Sequence, residues 1–334
     1  MDALKNFKFT DNNPAVRYAG SSSSQSARPE PTDQFSPSPV DTSSPQQTLK
    51  ALSQSGRVYY DAGRDELSKS AYYKETEHTV LNGGAKAAFD SLHELVSSTH
   101  TPLDYKPKEF LLPWVDLRPG LRLQSIYSAS DIQLDAPARG PRRAEVATWL
   151  KAIQESPTDA VAIAAKIALA EAKGVMNCEH VVPQTWADNL GIAVGDLHHL
   201  FAADSLTNLE RSDRRLSEFS NREHPTSTGE GWQLPGGNQY EPAGGKGALA
   251  RATLYFLVRY PGLVGDKEGE YTKDDVTRLV EWSNQNPVSL HEKHRNQAIQ
   301  EKQGNRNPFI DHPEWVSKVD FNLGLGSVAK ASEG

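Results

Sequence analysis

A single cysteine, Cys178, stands in this chain of 334 residues, so no intrachain disulfide can form and a cysteine-rich zinc site is ruled out. No stretch approaches the roughly 18 consecutive apolar residues that a membrane-spanning helix needs. The opening "MDALKNFKFTDNNPAV" lacks the apolar centre of a signal peptide. A soluble chain without a conventional export leader is the expectation. Excess basic charge is missing too: 36 Lys plus Arg face 43 Asp plus Glu, giving a net charge of -7. Any contact with a polyanion must therefore come from local clustering. No repeat at solenoid periods is visible. The length suits one large domain or two average ones, either with a substantial core.

Residues 1–56 are rich in Ser, Pro, Gln and Thr and read as a flexible tail, because such a composition cannot offset the entropy of ordering it. After it, "GGAKAAFDSLHELVSST" sets Phe89, Leu92 and Val96 on one helical face, and "PWVDLRPGLRLQSIYSASDIQL" reads as strands and turns in a hairpin-like region. Helices are predicted in "RRAEVATWLKAIQES" and in the Ala-rich "TDAVAIAAKIALAEAKG", which stops at Gly174 before a short strand in "VMNCEHVVP". Further helices fall in "KGALARATLYFLVRYPG", "DDVTRLVEWSNQNP" and "PVSLHEKHRNQAIQEKQG", the last opened by a Ser289/Glu292 capping box and closed by Gly304. The Gly- and Pro-rich stretch from Gly229 to Gly247 reads as a surface loop. Helices outnumber strands, and the fold class is α+β.

Chemistry concentrates around "NCEHVVPQTW". Neighbouring side chains on a strand point to opposite faces, so Glu179 and His180 would straddle a sheet unless the strand ends there. Histidines at 180, 198, 199 and 224 admit a zinc reading, but a His-Glu-x-x-His helix and a second cysteine are both absent. A structural, hydrogen-bonded role suits His78, His93, His100, His224 and His291 better. One carboxylate and one further oxygen, completed by water, suit Mg²⁺ instead. Glu179 supplies the first, and Asn208 or Asp204 the second from a helix beginning near Ser205. His180 is then left as a general base.

The blocks "EHVVPQTW", "DLHHLFAADSLTNLERSD", "GKGALARATLYFLVRYP" and "QGNRNPFIDHPEWV" occur in this order, and together they resemble the bacterial endonuclease I family of ββα-metal, or His-Me finger, nucleases. The resemblance extends from about Tyr59 to about Val316. It implies a mostly helical domain, residues 57–322, around a ββα-metal core with a small sheet, followed by a flexible end at 323–334. It further implies that His180 activates the attacking water while Glu179 and Asn208 hold one divalent cation, Mg²⁺ or Mn²⁺. His198 matches a family histidine on the second strand of the finger, with a positioning role. Arg211 in "ERSD" and Arg306 in "GNRNPF" are assigned to the catalytic set, Arg306 contacting phosphate or bracing the metal-bearing helix, with Asn305 and Asn307 supporting it. Two departures stand out: Asp213 where relatives often have Asn, and "IYSASDI" where they often carry an arginine.

Charge around the site is balanced, since Arg211, Arg214, Arg215 and Arg222 are offset by Asp204, Glu210, Asp213 and Glu218. The expectation is that Arg211, Arg251, Arg259, Lys293, Arg295 and Arg306 converge in space, with Arg251 and Arg295 binding substrate. Backbone contact without base reading follows from the absence of an aromatic-basic pattern. The predicted activity is non-specific cleavage of DNA, and of RNA as in some family members, by a monomer. A catalytically silent nucleic-acid-binding or interaction protein is the alternative. The compartment is read as leaderless export through the tail or as cytoplasmic. A cognate inhibitor protein is compatible with either, without a sequence signal for it.

Overall fold

A computed structural model describes residues 58–134, apart from 108 and 121, and 166–329, apart from 168, 169, 172, 221, 222, 224 and 328. The tail, the helix expected in 142–156, the first half of the one expected in 158–174, Arg222 and His224 lie outside the described residues.

The chain enters through three helices, α1 (Ala62–Tyr73), α2 (Glu77–Asn82) and α3 (Ala85–Ser98). Helix α3 buries Phe89, Leu92 and Val96, the face expected from their spacing. The expected hairpin after it is reduced to a π-helical turn at Leu111–Val115 and two isolated bridges, Arg118 with Arg122 and Gln124 with Asp131. Strand β1 (Met176–His180) then pairs antiparallel with β2 (Leu200–Asp204), in a register that sets Glu179 opposite Phe201 and His180 opposite Leu200. Between them lie a short helix α4 (Gly191–Val194) and a 3-10 turn, Leu197–His199. Strand β2 runs directly into α5 (Ser205–Arg211).

A second sheet of β3 (Arg215–Leu216), β4 (Thr226–Thr228), β5 (Gly231–Gln233) and β6 (Gln239–Pro242) has the order β3-β6-β5-β4. It corrects the surface loop expected from Gly229 onward. The glycines mark its turns rather than a loop, with Gly229 at φ 51° and Gly236 at φ 72° linking short paired strands.

Helix α6 (Lys246–Arg259) is the pillar of the fold. Its residues Leu249 to Val258 are all buried, which explains why its sequence is apolar beyond one stripe, with Arg251 and Thr253 the polar exceptions. Helix α7 (Lys273–Gln285) and helix α8 (Leu290–Gln303) each open with a reciprocal capping box, Thr272 with Asp275 and Ser289 with Glu292. Gly304 ends α8 at φ 87°, and a Cβ there would meet the Thr99 carbonyl at 2.5 Å. A short helix α9 (Pro308–Asp311) follows, capped by Asn307. The main core gathers Leu249 to Val258 with Phe89, Val181, Trp282, Phe309 and Trp315. The 3-10 turn that leads into β2 packs against α6 and α8, and α5 packs against the ribbon.

Candidate active site

The site is an open depression lined by β1, the loop after it and α5, with Glu179, His180, Gln184, Asn208 and Arg211 in its wall. Strand β1 ends at His180. That ending lets adjacent side chains serve the same hollow, although both are almost fully buried.

The His180 ring is fixed at both nitrogens. Its Nε2 lies 3.0 Å from the Val194 carbonyl oxygen. A carbonyl only accepts, so Nε2 carries the proton and Nδ1 holds the lone pair. That lone pair receives the Gln184 side-chain amide at 3.0 Å. Tyr105 and His199 pack against the ring, with centroids at 4.9 and 5.4 Å. Burial, then the neighbouring His199, lowers the His180 pKa to about 3, so the ring is neutral at physiological pH. The ring is thus not open to solvent, and its basic nitrogen faces the Gln184 amide.

Glu179 is 2% exposed. Its Oε1 accepts a hydrogen bond from Arg211 Nη1 at 2.8 Å. Burial pushes its carboxyl up to about 7, against the opposing pull of the Arg211 guanidinium and the Tyr127 hydroxyl. A carboxyl this hard to ionise beside an arginine has an unmet demand for positive charge. Arg211 also donates to the carbonyls of His180 (3.1 Å) and Val181 (2.6 Å), which ties α5 to the end of β1. Asn208 donates its amide to Asn177 Oδ1 at 2.9 Å and to the Cys178 carbonyl at 3.2 Å. Its Oδ1 accepts no hydrogen bond among the described residues. Asp204, the other candidate oxygen, caps α5 instead, accepting from the Leu206 and Thr207 amides at 3.1 Å each.

These donors suit a hard cation. Glu179 and Asn208 present oxygen, and among the described residues no group of three or more His, Cys, Asp or Glu could hold a metal. An ion here would keep most of its water, as Mg²⁺ does.

The remaining predicted residues lie elsewhere. His198 sits in the 3-10 turn before β2 rather than on the strand, with Nε2 3.3 Å from the Asn305 carbonyl. Asn305 spans Gln303, Tyr255 and the Val96 carbonyl. Asn307 caps α9 and donates to the Arg251 carbonyl. Arg306 is held by both oxygens of Asp311 at 2.6 and 2.7 Å, by Gln300 at 2.6 Å and by Asp65 at 2.8 Å. It touches neither α5 nor the depression, so its catalytic and helix-bracing assignments are corrected: it ties α1, α8 and α9 together. Arg259 is held by His100 and Ser97. Arg295 pairs with Asp116 and lies 3.9 Å over the Phe201 ring, while Arg251 pairs with Glu292 at 2.7 Å. The expected convergence of six cations on the depression therefore fails: Arg259 and Arg306 are held elsewhere, and Arg251 and Arg295 line a different pocket, each paired with a carboxylate.

Sequence reading missed Gln184 and Val194, which set the tautomer and cover the base, and Asp196. The last accepts from Tyr255 (2.8 Å), Tyr260 (3.0 Å) and Gln303 (2.7 Å). Gln184 lies four residues after His180, but only the turn through Pro183 brings it back onto the ring.

Comparison with known families decides the lineage. A model for endonuclease I matches residues 122–314, more than half of the chain and the whole of the ribbon, α5 and α6 to α8. The chain belongs to the endonuclease I family. Proteins similar to it include an extracellular ribonuclease of Bacillus amyloliquefaciens, 38% identical over 166 residues that cover 44% of this chain and 54% of the relative. An extracellular deoxyribonuclease of Aeromonas hydrophila is 31% identical over 155 residues, covering 40% of this chain and 64% of the relative. A periplasmic deoxyribonuclease of the same organism is 31% identical over 156 residues, covering 40% and 62%. The chain thus spans between 54% and 64% of the length of these relatives. Their names overturn the expectation of a cytoplasmic or leaderless protein, since these relatives are nucleases of the medium and the periplasm.

Proposed function

We propose that the protein is an exported, Mg²⁺- or Mn²⁺-dependent endonuclease that cuts nucleic acid without strong sequence preference. The observation that carries this reading is the His180 tautomer: a neutral ring with its lone pair on Nδ1, in one hollow with Glu179, Asn208 and Arg211. The β1–β2 ribbon followed by α5 is read as the ββα core. Both ribonucleases and deoxyribonucleases among the relatives favour a substrate range that includes RNA as well as DNA.

His180 Nδ1 takes the proton of a water once the Gln184 amide swings aside, and the resulting hydroxide attacks phosphorus in line with the departing 3′ oxygen. The products carry 5′-phosphate and 3′-hydroxyl ends. Arg211 holds the Glu179 carboxylate toward the hollow and lends it positive charge. Glu179 and Asn208 would hold the cation, which supplies charge stabilisation to the phosphate and the leaving oxygen when bound.

Plasmid nicking and cleavage of a labelled RNA, each with Mg²⁺ or with EDTA, test the reading. Cleavage in Mg²⁺ that EDTA stops is the expected result. Intact substrate from folded protein in metal-replete buffer would favour a catalytically silent binder. The ends of the fragments check the direction of cleavage.

A further inference from the structure

A second polar pocket, of about 300 Å³, lies between the start of α6, the start of α8 and the segment around Arg118. Gly245, Lys246, Gly247 and Ala248 form one wall. Gly245 precedes the helix at φ 67°, and no side chain among the described residues caps the first turn. The amides of a 14-residue helix therefore open toward the pocket with their positive dipole end.

Two arginines meet that helix end. Arg118 lines the pocket, and its guanidinium makes no hydrogen bond or ion pair among the described residues, although its Nε is buried. The two carboxylates whose charge it feels are committed elsewhere: Asp131 to Arg122 at 3.0 Å and Glu292 to Arg251 at 2.7 Å. Arg251 is 1% exposed. Its Nε and Nη1 are bonded to Glu292, the Ser283 carbonyl and the Asn286 carbonyl. Its Nη2 has no partner among the described residues and lies 2.7 Å from where a Cβ on residue 247 would sit. Glycine at 247 keeps that nitrogen uncovered.

The charges do not cancel here as they do elsewhere in the molecule. Asp116 is matched by Arg295, and Glu292 by Arg251. Lys246 turns its ammonium out to Glu218 (3.1 Å) and Glu241 (2.7 Å), so it adds only its backbone. Arg118, one nitrogen of Arg251 and the helix end are left facing the same space, a donor set that fits a tetrahedral oxyanion.

We propose that this pocket is a phosphate-binding subsite that grips a backbone phosphodiester of the nucleic acid away from the bond being cut. The identity of the polymer rests on the nuclease reading above; the phosphate chemistry does not. The two sites are joined through the ribbon. Phe201 lines this pocket and pairs with Glu179 across β1 and β2, while Ile126 lines it beside Tyr127, which acts on the Glu179 carboxyl.

The test uses the full chain in a His180→Ala background, with Arg118→Ala and Arg118→Lys added. Oligonucleotide affinity is followed by fluorescence anisotropy across salt concentrations, and inorganic phosphate binding by calorimetry. Arg118→Ala should weaken the oligonucleotide about 5-fold and reduce the salt slope by about 1. Arg118→Lys should restore most of the affinity, which separates a lost contact from a damaged fold. Loss of inorganic phosphate binding with oligonucleotide affinity and slope intact would overturn the polymer assignment and leave a site for free phosphate. No change in either ligand would overturn the subsite. A wild-type protein that fails to cut, while Arg118→Ala still weakens the oligonucleotide, would sink the nuclease reading and not this one.

Discussion

Arg211 and Arg306 are both almost completely buried, yet they do opposite things. Around Arg306 the acceptors are side chains drawn from three helices, and they saturate Nε, Nη1 and Nη2. Around Arg211 two of the three acceptors are backbone carbonyls, the third is a carboxyl whose pKa burial pushes up to about 7, and Nε has no partner among the described residues. A saturated guanidinium is a joint. One whose only acid remains hard to ionise belongs to a site that still has use for positive charge.

Removing the joint should do the most damage. Arg306→Ala leaves Asp65 and Asp311 buried without a cation, and breaking such a group costs about 3–5 kcal/mol. Urea denaturation should give a large drop in midpoint, with activity lost only as far as folded protein is lost. A well-folded Arg306→Ala protein with no nuclease activity would break the comparison and return Arg306 to the catalytic set.

His180→Ala should do the reverse. The expected loss of cleavage is about 10²–10⁴-fold, with a thermal melt close to wild type. Gln184→Ala is a milder version, since it removes one hydrogen bond worth about 1 kcal/mol and uncovers the lone pair. The amide favours the neutral ring, so its removal should move the acidic limb of the kcat/KM profile to higher pH. An unchanged limb would mean that Gln184 does not cover the working nitrogen.

A last effect, read on stability rather than on cleavage, is shared among the buried histidines. Burial lowers His180 to about 3 and His198 to about 4, and it also lowers His100 and His199. Below about pH 6.5 the unfolded chain takes up protons that the folded rings refuse, so stability is fully present above that pH. It should fall as the pH drops from about 6.5 to 4, which urea midpoints across that window would reveal. Glu179 works in the opposite direction, contributing stability at low pH that is lost as the pH rises through about 7. Its acid-side gain is too small to cancel the histidines.

Much of this was legible beforehand. The period of Phe89, Leu92 and Val96, the Ser289/Glu292 box and the Gly304 stop were local signals, and local signals survive folding. Glu179, His180, Asn208 and Arg211 share a wall because β2 continues straight into α5, a geometry that short spacing already constrains. The sheet between Thr226 and Pro242 was hidden because strands of three or four residues carry too few alternations to register. The fate of the arginines was hidden for another reason. Arg306 meets Asp65 across 241 residues of sequence, and no window of the chain contains both.

The sequence by itself therefore determined the lineage and most of the helices, and it singled out Glu179, His180, Asn208 and Arg211 together, because these depend on residue type and short-range spacing. Tertiary structure alone decided which nitrogen of His180 holds the lone pair, which arginines are neutralised and that Arg118 finds no partner among the described residues. Those depend on partners that only packing brings together, since a buried charge is defined by what surrounds it rather than by what precedes it in the chain.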